Sequence, residues 1–147
     1  MAGSQFLTPK SVRRSRPKRR FTLAQANSTL PLVRRIVGDI VRTHGEALKA
    51  QSDLEHVPAG TTPQDIQRRL ESHLEHLEDF VDELTEVGCE LKDYRMGLID
   101  FTGRHKGRDV CLCWKLGEER ITHWHEIESG FSGRQPIDGA ILSAVTS

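Results

Sequence analysis

The sequence predicts an α+β fold: a long antiparallel helical hairpin packed on a small antiparallel β-meander of three to four strands, with a disordered basic tail in front. Three observations carry this. Apolar residues recur in steps of three and four between Val33 and Val87. After Gly88 the apolar period falls to two, the spacing of a half-buried strand. Residues 1–20 hold seven bases and no acid in a chain of zero net charge, with no apolar period of their own.

The elements follow in order. Thr22 is placed to cap a short turn over Leu23 to Asn27, and Ser28 or Thr29 to cap a second start with Pro31 near its first position. Val33, Val37, Ile40, His44, Ala47, Gln51 and Leu54 then form one stripe, widened by Ile36, Val41 and Leu48. A helix of about 25 residues on this pattern is roughly 38 Å long. Gly38 and Gly45 weaken it. Val57-Pro58-Ala59-Gly60 breaks it, and Thr62, Pro63 and Asp65 make a capped start for a second helix. That helix carries Ile66, Leu70, His73, Leu77, Phe80, Leu84 and Val87 on one face, with Gly88 at its left-handed end. Stripes this narrow bury little, so the hairpin needs either the sheet or a second subunit.

The strand readings are Cys89 to Leu91, Leu98 to Thr102, Asp109 to Leu116 and Ile121 to Ile127, with Gly103 to Arg108 as a basic connection. Ser129 to Pro136 reads as an ordered loop in which Phe131 seeks burial. The domain organisation expected is a tail at 1–20, one domain at 21–137 (hairpin 21–88, meander and closing loop 89–137) and a C-terminal tail at 138–147.

Composition excludes several classes. No window of eighteen apolar residues exists, so a membrane-spanning helix is not expected. Three cysteines make no secreted disulfide framework, and the expectation is a reducing, cytoplasmic setting. There is no Walker loop, dinucleotide fingerprint or HExxH motif. Arg13, Arg14, Arg16, Lys18, Arg19 and Arg20 can contact nucleic acid, but charge alone gives affinity without sequence readout.

The chemistry-bearing residues lie between Gly97 and Ile137. Cys111, Cys113, His123 and His125 are the residue types of a zinc centre, with Cys113, His123 and His125 its best members. Two features oppose it. Alternation puts Val110, Leu112, Trp114 and Leu116 on the core face and Cys111, Cys113 and Lys115 on the other. Whether the cysteines then meet the histidines depends on the parity of the turn. Gly117-Glu118 suits a two-residue type II′ hairpin, whose even register keeps them apart. A C-x-C spacing inside a strand also differs from the C-x₂₋₄-C knuckle of structural zinc. The favoured expectation is therefore no cofactor, with zinc the alternative. A Cys–His nucleophile, with Glu126 or Asp100 orienting the imidazole, lacks the helix N-terminus that stabilises a thiolate. The preferred polar site is Asp100, Glu118, His125 and Arg134. A buried Asp100 needs a partner, for which Arg95, Arg134 or a histidine qualifies. Arg134, between Gly130, Gly133 and the strands, is either a salt-bridge pin for the loop or a carboxylate subsite. On the hairpin, His44 and His73 fall at equal heights. With Val41 and Leu70 three residues before them, they form no Glu-x-x-His metal pair, and a buried or register-setting pair is expected.

The segments FTLAQANSTLPLVRRIV, GLIDF, LCWKLGE, WHEI and GFSGRQP resemble the bacterial "domain of unknown function 2203" family over about residues 21–137. The motif positions are Asp100, Cys113, Trp114, Gly117, Glu118, Trp124, His125, Gly130, Phe131, Gly133 and Arg134. Cys111 departs from the aromatic that the family pattern places before LCW. The resemblance implies no activity. The functional expectation is thus a non-enzymatic interaction or oligomerisation module, a homo-oligomer or the binder of a protein partner. The alternatives are a small-ligand or metal site on the meander and nucleic-acid contact through the tail.

Overall fold

A computed structural model describes residues 19–138. The order is α1 (Leu23–Ser28), α2 (Leu30–Glu55), α3 (Pro63–Val87), β1 (Glu90–Asp93), β2 (Leu98–His105), β3 (Arg108–Lys115), β4 (His123–Glu126), a 3₁₀ turn (Phe131–Gly133) and β5 (Gln135–Pro136). The five strands form one antiparallel sheet in sequence order. The fold class is α+β, with five strands where three to four were expected. The added strand is short and lies inside the stretch read as a loop.

Two of the three helix starts arise as their sequences dictate; at α2, Thr29 is the flanking residue, but its hydroxyl donates back to the Ala26 carbonyl at 2.7 Å and caps no amide. Thr22 Oγ1 accepts from the Gln25 amide at 3.0 Å, and Gln25 Oε1 accepts from the Thr22 amide at 2.9 Å, a reciprocal capping box. Thr62 accepts from the Asp65 amide at 3.1 Å, and Gly88 closes α3 at φ 115°. Buried Val33, Val37, Ile40, Leu70, Leu77 and Leu84 face a core that the sheet completes through Ile99, Phe101, Leu112 and Trp114. The sheet thus supplies what the narrow stripes lack. Leu48 is exposed and Ala50 takes the inner place instead. His44 and His73 do not form a mutual pair. His44 stacks on Tyr94 with centroids 5.0 Å apart, while His73 turns to Glu46 at 3.7 Å. The aromatic face offered by the β1–β2 turn captures His44.

Two boundaries move. Arg19 and Arg20 belong to the body and not to a tail. Arg20 bridges Thr102 and its Nε lies 2.8 Å from Asp109, while Arg19 donates to the Val87 carbonyl at 3.2 Å. Burial of Phe21 edge-on against Phe101 draws both in. Arg13, Arg14, Arg16 and Lys18, the disorder expected of the tail, and the C-terminal tail beyond Asp138 lie outside the described residues. The basic connection also shrinks. β2 runs on to His105, and Lys106 (φ 53°) and Gly107 (φ 79°) alone make the turn to Arg108. Two successive positive φ values match the twist of the strands they join.

The β3–β4 connection departs most from expectation. Cys113 pairs with His123 and Cys111 with His125, the odd register that the Gly117-Glu118 turn argued against. Residues 116–122 form a long excursion whose course is set by the helices. The Ile121 amide donates to Asn27 Oδ1 at 2.8 Å, Arg34 donates to the Glu119 carbonyl at 2.9 Å, and Trp114 Nε1 donates to the Glu118 carbonyl at 2.9 Å. With Ile121 buried as well, tertiary anchors decide the parity. Among the described residues, no helix is long and apolar enough to cross a membrane.

Candidate functional site

The odd register sets the outer face of the sheet. Asp100 on β2 lies opposite Cys113 on β3, and His125 on β4 lies opposite Cys111. All four side chains share the face turned away from the helices. Asp100, Cys113 and His125 are buried, and one donor atom from each lies within 4.8 Å of the others. Among the described residues, this is the grouping of three such side chains able to hold a metal ion.

Hydrogen bonding defines the imidazole. His125 Nδ1 is 2.7 Å from the Glu126 carbonyl, which can only accept, so Nδ1 carries a proton. Nε2 is 3.1 Å from both oxygens of the Asp100 carboxylate. A neutral imidazole with its proton on Nδ1 would aim a lone pair at an anion. The geometry therefore calls for a positive charge between them, either a proton or a cation. The Cys113 thiol adjoins the same carboxylate. Burial pushes this thiol up to about 12, the Asp100 charge adds to the rise, and Arg134 opposes it.

Arg134 and Glu118 close the site. Arg134 Nη2 donates to Glu118 Oε1 at 2.7 Å and, at 3.4 Å, to the Cys113 carbonyl. Glu118 Oε1 also accepts from the Lys115 amide at 2.9 Å. Burial pushes the Glu118 carboxyl up, but these hydrogen bonds and the Arg134 charge outweigh it and hold it below its ordinary value. Phe131 remains exposed, contrary to its expected burial. Its ring takes Arg134 at 4.9 Å and Lys115 at 5.9 Å. A Cβ on Gly133 would lie 2.5 Å from the Ser129 side chain, so this loop is tightly folded on itself.

The four residues Asp100, Glu118, His125 and Arg134 come together as two pairs, joined through Cys113. Of the three residues considered for zinc, Cys113 and His125 meet. His123 stands outside the trio, with Nδ1 2.9 Å from Thr122 Oγ1. Asp100 occupies the third position. A sequence signal for that existed: reading Lys106-Gly107 as a two-residue turn places Asp100 opposite Cys113 at once.

Fold and site together define a class: an α+β chain whose helical hairpin backs a meander, with a buried Asp–His–Cys trio on the far face. A family model matches residues 19–137, and the chain belongs to the family described as "Uncharacterized conserved protein (DUF2203)". No curated protein and no solved structure matches it.

Proposed function

We propose that this protein binds a divalent transition metal through Asp100, Cys113 and His125. The observation that carries the reading is His125 itself. Its Nδ1–H is anchored on a backbone carbonyl while Nε2 faces a carboxylate, which is how metal-ligating histidines are held and oriented. Zinc takes N, O and S donors at about 2.0–2.3 Å. Donors of a tetrahedral site then stand on the order of 3.4 Å apart. The 3.1 Å and sub-4.8 Å separations here need only small adjustments to reach that. One carboxylate and one thiolate also neutralise a dication in a buried setting, where net charge is costly. The mixed soft and hard set favours zinc or ferrous iron over magnesium or calcium.

An interaction or oligomerisation role has less behind it, because the inner faces of the two helices are already buried in the chain's own core. For nucleic-acid contact, Arg19 and Arg20 are engaged with the body.

Cobalt titration of metal-stripped protein tests the metal reading. One equivalent of Co²⁺ is expected to produce a near-ultraviolet thiolate charge-transfer band. Cys113→Ser abolishes that band, and Asp100→Asn or His125→Gln weakens binding by about tenfold or more. A titration without a saturable band, or one that Cys113→Ser leaves unchanged, overturns the reading.

A further inference from the structure

Three ligands leave a tetrahedral metal with one coordination position open, and the residues around the trio carry a signature of what fills it. Arg134 Nε is buried and has no hydrogen-bond partner among the described residues. Its Nη2 is held by Glu118 and the Cys113 carbonyl, so the guanidinium is fixed in place with a donor left over. A buried donor without an acceptor is costly, and such a group in a folded protein calls for a missing partner. The charges agree. Arg134 and Lys115 share the Phe131 ring, and Glu118 neutralises one of them, leaving a surplus of one positive charge at the mouth. The side chains of Arg134 and Glu118 remain 12% and 22% exposed, so the pair reaches solvent.

We infer that the open position binds a small carboxylate monoanion, with one oxygen on the metal and the other taking the free Arg134 donor. This rests on the metal reading and extends it to a ligand class. A planar carboxylate matches the planar guanidinium and brings the single negative charge that the mouth lacks. Glu118, the Cys113 carbonyl and the Phe131 ring keep the guanidinium in place.

The test uses the Co²⁺-loaded full chain in chloride-free buffer, titrated with sodium acetate. Neutral acetamide serves as control. Acetate is expected to shift the visible d–d bands saturably, and acetamide to leave them unchanged. Arg134→Lys, which keeps the charge but loses the fork, weakens acetate binding by about tenfold. Lys115→Gln, at a site whose side chain is only half-buried, weakens it by about threefold. In both variants the thiolate band persists. Two outcomes overturn the inference alone: a thiolate band with no response to acetate, or an equal response in wild type and both variants. If no thiolate band forms, the metal reading fails and the inference with it.

Discussion

His125 Nε2 sits 3.1 Å from each oxygen of the Asp100 carboxylate, while the other ring nitrogen is held 2.7 Å from the Glu126 carbonyl. The contact joins β4 to β2 across the intervening β3, because Asp100 and His125 both flank Cys113 on one sheet face. An ionic or metal-bridged contact there ties three strands together on the side that the helices do not cover.

Metal affinity should depend steeply on pH. Burial holds the Cys113 thiol up to about 12, so at neutral pH it carries a proton that a ligating metal must displace. Competition with a zinc chelator between pH 6 and 8 should show affinity rising by about tenfold or more per pH unit, tenfold for the thiol proton alone. Flat affinity across this window would rule out thiolate ligation.

Two glycines should respond in opposite directions to alanine. Gly97, at φ 68°, turns β1 into β2 directly against α2. A Cβ there would lie 2.8 Å from Val37 Cγ1, 2.9 Å from Leu116 Cβ and 3.0 Å from Val41 Cγ2. Left-handed strain and overpacking together put the cost of Gly97→Ala at about 3 kcal/mol. Gly45 lies inside α2 with nothing within 4 Å of its would-be Cβ, and Gly45→Ala should stabilise by about 0.8 kcal/mol. Urea unfolding of both variants reads the difference. Equal effects would mean that the β1–β2 turn does not press on α2 as described.

Acid should loosen the hairpin through His44. Desolvation lowers its pKa below the ordinary value, the Arg95 charge lowers it further, and Asp93 opposes. A depressed folded-state pKa means that the unfolded chain takes up the proton first. The stabilisation is complete above the ordinary value of about 6.5 and is lost as pH falls through the folded value. In chelator-treated protein, unfolding free energy should fall between pH 7.5 and 5.5, and His44→Gln should fall less. Parallel pH profiles for the two proteins would assign the acid sensitivity elsewhere.

Much of the local structure was legible residue by residue. Thr22 and Thr62 cap helices because their hydroxyls meet amides within one turn, and Gly88 ends α3 because only glycine takes that φ without strain. The core faces of α2, α3 and β3 follow from period alone, as burial of Val37, Leu77, Leu112 and Trp114 shows. That Asp100 needs a partner also followed from the cost of burying an acid, but the choice of His125 over Arg95 or Arg134 did not. Less legible was the two-residue turn at Lys106-Gly107, since lysine is a rare occupant of positive φ.

By itself, then, the sequence determined the two long helices, the main strands, their inward faces and the residue types on the outer sheet face, because caps, periods and breakers act over a few residues. Only the tertiary structure decided which of those residues meet. A one-residue change in strand register exchanges every neighbour across a pair. Here that register depends on contacts far along the chain, with Asn27 gripping Ile121 and Arg34 gripping Glu119. The helices thereby fix the loop from Leu116 to Thr122, and the loop puts His125 beside Asp100 and Cys113.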